Sequence, residues 1–143
     1  MENIGFLYAI GAAVTWGLVY TIDQKILHAV SPITLLFINA IVTALIMLPF
    51  VFWNNGSVKA VLDSGKTNLL LISLSIVLAT LANFFIFSGI KTLDASTASM
   101  IEIAYPFFVV LFSYFFFRST PNVYFFIGGI LIFIGSIIVI KFA

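Results

Sequence analysis

Ile90-Lys-Thr-Leu-Asp-Ala-Ser-Thr-Ala-Ser-Met-Ile-Glu-Ile-Ala-Tyr-Pro106 is the stretch that decides how this chain folds. A short polar hinge, Lys91 to Ser96, feeds directly into an apolar run that continues to Phe117. That run contains Glu102, the only acid well inside a hydrophobic segment, and Pro106 follows it by four residues. Proline has no N–H, so in a helix the Glu102 carbonyl loses its partner and the helix is expected to kink. A carboxyl and a freed carbonyl at one turn are costly against lipid. They belong on a face turned to protein or to a watery cavity, and the rest of the chain is expected to wrap that face.

Composition sets the solvent. Of 143 residues, 63% are hydrophobic and 8% are charged, and the mean hydropathy is +1.26. Soluble domains carry about 25% charged residues. The expected fold class is therefore all-α, a polytopic membrane protein. A net charge of +1 leaves no footprint for nucleic acid. With no cysteine, disulfides, thiolate chemistry and cysteine metal sites are excluded. The lone His28 sits beside a helix end and reads as a headgroup or water contact rather than a ligand.

Five apolar runs are long enough to cross a bilayer, which takes about 20 residues. They cover roughly 4–22, 34–52, 69–90, 97–117 and 123–140. Only Glu2 and the amine precede the first, so it lacks the basic segment of a signal peptide and reads as retained. Asp23, Gln24, Lys25 and His28 close the first run, Pro32 opens the second, and Trp53 suits the interfacial belt. Val58, Val61 and Leu62 have helical spacing in the second loop, the mark of a short interfacial helix. Arg118-Ser-Thr-Pro121 reads as the tight turn before the last run. No stretch suits a soluble domain, so residues 1–143 are expected to form one transmembrane domain.

The basic residues do not choose a side. Lys59, Lys66 and Arg118 fall on one, Lys25, Lys91 and Lys141 on the other, three against three. Lys/Arg bias normally sets orientation. Its absence leaves two readings, a single orientation fixed by weaker cues or insertion both ways. Small residues mark faces where another helix can approach: Gly5, Ala9, Ala13 and Gly17 every four residues, and Gly128 with Gly135 in the last run. The pattern serves packing within one chain or between two.

At a rise of 1.5 Å per residue, Trp16, Asn39, Asn83 and Glu102 each lie roughly 8–10 Å beneath the side carrying Lys25 and Lys91. Tyr105 and Ser99 flank Glu102 at i±3. Unrelated interhelical hydrogen bonds account for such residues. An ionisable group inside a span, however, is by default a functional candidate. Glu102, Trp16, Asn39, Asn83 and Tyr105 are therefore the expected solute- or proton-binding set. No Gly-Lys-Ser/Thr phosphate loop is present, and no Ser/His/Asp set can be assembled around the one histidine. Neither an enzyme nor an ATP-driven pump is expected, and no metal or cofactor.

The order of motifs resembles the EamA-type family of the drug/metabolite transporter superfamily. The similarity rests on Ala13-Val-Thr-Trp-Gly17 with Lys25 and Pro32, on Phe87-Ser-Gly-Ile-Lys-Thr-Leu-Asp-Ala-Ser-Thr-Ala-Ser99 followed by Pro106, and on Gly128-Gly-Ile-Leu-Ile-Phe-Ile-Gly135. It covers nearly the whole chain. Two departures stand out: Arg118-Ser119 replaces the family's usual Gly-Glu, and Glu102 occupies a position that is usually apolar or small. The resemblance implies one five-helix half of an inverted pair, in a plasma or inner membrane, exporting a small metabolite or drug-like solute, with proton exchange as one means of drive. It implies as partners lipid, the solute, and an antiparallel second copy or a paralogous half. The alternatives are an accessory subunit of a lipid-linked metabolite flippase and a structural membrane subunit without transport.

Overall fold

The computed structural model describes residues 2–54, 56–120 and 122–142. Asn55 in the second loop and Pro121 in the expected turn lie outside the described residues. The elements are α1 (Glu2–Leu27), α2 (Pro32–Trp53), α3 (Ser57–Asp63), α4 (Lys66–Thr92), α5 (Ala95–Glu102), α6 (Tyr105–Phe117) and α7 (Val123–Phe142). Five segments among the described residues are long and apolar enough to cross a membrane: Ile4–Leu27, Pro32–Trp53, Lys66–Thr92, Ala95–Phe117 and Val123–Phe142. The protein is an all-helical, multi-pass membrane protein.

Local chemistry sets the ends. Ser31 caps α2, its hydroxyl accepting from Thr34 N–H at 3.1 Å, and Pro32 takes the first helical position, where an N–H has no partner to lose. The short α3 sits where the Val58/Val61/Leu62 spacing places a helix. Helix α1 continues past its apolar run through Asp23 and Gln24 to Leu27. This extension carries polar side chains that the hydropathy boundary leaves outside the span.

The fourth span is the one that breaks. Helix α5 ends at Glu102 and α6 begins at Tyr105, with Pro106 in its first turn. Across the break, Ile103 N–H still reaches Ser99 O (2.9 Å), whereas Ala104 N–H bonds Ile101 O (3.2 Å), three residues back. The tighter bond and the missing proline donor turn the expected kink into a two-residue interruption. At the far end of α6, Arg118 is left-handed (φ 54°, ψ 26°), and its N–H reaches Tyr114 O at 3.0 Å. Glycine adopts that conformation at no steric cost, and arginine does not.

The helices group into two compact units, Met1–Lys25 with Gly89–Ala143, and Ile26–Ser88. In the first, α7 packs on α5 and α6. Ala95 and Ala98 of α5 are buried. A Cβ added at Gly89, near the end of α4, would lie 3.6 Å from the Ala98 Cβ, so small side chains let these backbones come close. In the second, Leu35 and Phe87 are buried. No more than 6% of the most apolar stretch of any span is buried, which leaves the apolar faces to lipid or to a partner.

Candidate functional site

The site is built in the first unit, on the facing parts of α1 and α5. Tyr20, one helical turn beyond Trp16, donates its phenolic hydrogen to Glu102 Oε2 at 2.8 Å. The Trp16 and Tyr20 rings lie 5.4 Å apart and tilted by 48°, the i, i+4 spacing that stacks side chains on one helix face. Trp16 is about half exposed, at 49%. Glu102 and Tyr20 are both partly buried. An intramembrane carboxyl thus sits at the end of a half-helix, held by a phenol from another helix, with an indole beside that phenol.

Two further bonds fix this pair. Gln24 Oε1 accepts from the Ala95 N–H at 2.9 Å, which ties the end of α1 to the start of α5 and satisfies one of the orphan donors there. Asp94 caps the same turn. Its Oδ1 accepts from Thr97 N–H and its Oδ2 from Thr97 Oγ1, both at 2.8 Å. The backbone donor first, and the hydroxyl second, hold the Asp94 carboxyl below the usual carboxylate range.

Ser136 of α7, which packs on α5, is 4% exposed. Its hydroxyl lies 2.6 Å from Met100 O and 3.0 Å from Ile132 O. Met100 O is the acceptor that the i→i−4 pattern would assign to Ala104 N–H, which bonds Ile101 O instead. A side chain of α7 therefore supplies a donor where the break disturbs the ladder, which is how irregular backbone is tolerated inside a membrane. Beneath the break lies a groove of about 230 Å3, bordered by Pro106, Phe107, Tyr124, Gly128 and Gly129.

The chain matches the EamA-like transporter family over residues 3–141. It belongs to that family. No curated protein and no solved structure matches it significantly. Membership in the EamA-like family places the chain among transporters, not enzymes, and a transporter binds a solute.

Against this family frame, the expected site residues separate. Trp16, Glu102 and Tyr105 fall in the first unit, and Asn39 and Asn83 in the second. Glu102 receives its hydrogen bond from Tyr20, whereas Tyr105, beyond the helix break, is 60% exposed. Asn83 donates to Ala79 O of its own helix at 2.9 Å, and Asn39 is exposed. The small-residue faces are open: among the described residues, a Cβ added at Gly5, Gly17, Gly128 or Gly135 would meet no heavy atom within 4 Å, and Ala9 and Ala13 are exposed. Sequence reasoning missed Tyr20 as the partner of Glu102. The signal was present, since Trp16, Tyr20 and Asp23 recur at i, i+4 and i+7 on one face.

Proposed function

We propose that this EamA-like chain is a secondary transporter that exports a small metabolite or drug-like solute in exchange for protons. Two chains of opposite orientation would form the path, in a plasma or inner membrane. The match to a transporter family across residues 3–141 carries the reading. The Tyr20–Glu102 bond supports proton exchange, because an acid held inside a span by a neutral donor can alternate between protonation states. The exposed Trp16 and Tyr105 offer aromatic faces to a solute next to that acid. Asn39 and Asn83 are the binding candidates of the other unit. The balanced Lys/Arg count supports insertion in both orientations, and the open small-residue faces at Gly5, Gly17, Gly128 and Gly135 suit a second copy.

The test is reconstitution of the pure chain in liposomes, with a tag at the C-terminus. Solute-driven proton flux and a tag reachable from both sides of the membrane are the expected results. A tag reachable from one side only, with no oppositely oriented partner chain, overturns the antiparallel pair. Absence of flux together with copurification of a non-identical membrane chain favours the accessory-subunit reading.

A further inference from the structure

Asp23 is an acid for which the transport reading above finds no use. It lies on α1 one turn before Leu27, about 6 Å beneath the end of the helix. Only 5% of its surface is exposed, and its Oδ2 is buried without a hydrogen-bond partner among the described residues. A buried carboxylate oxygen that accepts nothing is rare in native structures and calls for an explanation. Its surroundings supply one. Tyr20 lies three residues deeper on the same helix face, within electrostatic reach of Asp23, Glu102 and Tyr105. Tyr20 donates to Glu102, which stands seven residues, about 10 Å, into α5. The Gln24–Ala95 bond aligns the end of α1 with the start of α5. The order from the membrane face inward is therefore Asp23, Tyr20, Glu102.

We propose that Asp23 is the outer carboxyl of a proton path that loads Glu102 through the Tyr20 hydroxyl. It rests on the proton-exchange reading and adds a second proton-binding group to it. The step balances. A proton from water binds the Asp23 carboxylate. Carried across by a water or by rotation of the Asp23 side chain, that proton reaches Tyr20 Oη while the phenol's own hydrogen passes to Glu102 Oε2. The net result is one proton moved from Asp23 to Glu102, with the phenol restored and free to rotate back. A phenol is suited to this relay because its oxygen donates and accepts at once. Other titratable groups near the path are Tyr105 across the break, Asp94 at the α5 cap, Lys25 two residues beyond Asp23, and Lys91 at the end of α4. The Gln24 and Asp94 bonds to the first turn of α5 act as positioning contacts, since they hold the two helices that carry the path.

Infrared difference spectroscopy of the full chain in phosphatidylcholine/phosphatidylglycerol vesicles tests this without a known solute. The carboxyl C=O stretch is followed after a drop in pH. Among the protonating carboxyl bands, one is expected to be absent in Asp23→Asn and another in Glu102→Gln. The Glu102 band should form about tenfold or more slowly in Asp23→Asn and in Tyr20→Phe, and Asp23→Glu should restore the rate, which separates loss of the path from misfolding. A Glu102 band forming at the wild-type rate in Asp23→Asn or Tyr20→Phe overturns the path, as does an Asp23→Asn spectrum that has lost no band. Failure of the transport reading looks different. If the bands and rates behave as stated but the wild-type protein moves no solute, proton exchange with a solute falls and the path stands. If flux is proton-coupled and unaffected by Asp23→Asn, the path falls and transport stands.

Discussion

The two units contain similar polar side chains and use them in opposite ways. In Ile26–Ser88, Ser73, Thr80 and Asn83 bond the carbonyls of Leu69, Ile76 and Ala79, each four residues back on the same helix. In the unit formed by Met1–Lys25 and Gly89–Ala143, Thr15 and Thr21 do the same, but Tyr20, Gln24 and Ser136 reach across to another helix. A local bond keeps a hydroxyl or amide satisfied in lipid whatever the helix packs against. A bond across helices is satisfied in one arrangement only. The second unit therefore tolerates polar residues, while the first is specified by them, and the acid lies where the specification is densest.

The sharpest way to break that comparison is to remove titration from the crossing pair. Glu102→Gln keeps shape and can still accept from Tyr20. It is expected to lose pH-dependent flux in liposomes by about a hundredfold or more while inserting normally. Full pH-dependent flux would return Glu102 to the merely structural polar residues. Next in size is Ser136→Ala, which withdraws the hydroxyl from Met100 O at the helix break. Unfolding in detergent should show a loss of about 1–2 kcal/mol. No change would mean that the break is sustained without α7. Arg118→Gly acts in the other direction. Relief of the left-handed arginine should add about 1 kcal/mol in the same assay, and a loss would show that the arginine side chain outweighs its backbone cost. The smallest effect is expected in the second unit: Asn83→Ala should change stability by no more than about 0.5 kcal/mol, because the bond it removes is local. A cost equal to that of Ser136→Ala would erase the distinction between the units.

Much of this was legible in the residues. Hydropathy placed the helices, the Glu102–Pro106 spacing placed the break, and the spacing of Val58, Val61 and Leu62 placed α3. The ends were less legible, since Asp23 and Gln24 end the apolar run without ending the helix: backbone bonding continues after hydrophobicity stops. The partner of Glu102 was only half legible: the spacing of Trp16, Tyr20 and Asp23 marks one face of α1 but not the helix that face meets. Counting residues from a common face orders groups by depth but not around the helix axis, and it set Asn83 and Asn39 level with Glu102 while leaving Tyr20, two residues from the end of the apolar run, outside the layer. Arg118 shows the reverse case, a residue with no preference for a left-handed turn that adopts one at the end of α6.

The sequence by itself determined the solvent, the all-helical class, the five spans and a kink between Glu102 and Pro106. Each follows from backbone hydrogen bonding in a medium that offers none, and from a proline that cannot donate. The tertiary structure alone decided which polar groups meet. Tyr20 on Glu102, Gln24 on the first turn of α5 and Ser136 on Met100 O link residues 82, 71 and 36 positions apart. Such pairings depend on how helices are rotated against one another. One close approach of this kind, Gly89 against Ala98, carries no periodic signal strong enough to read before the helices are packed.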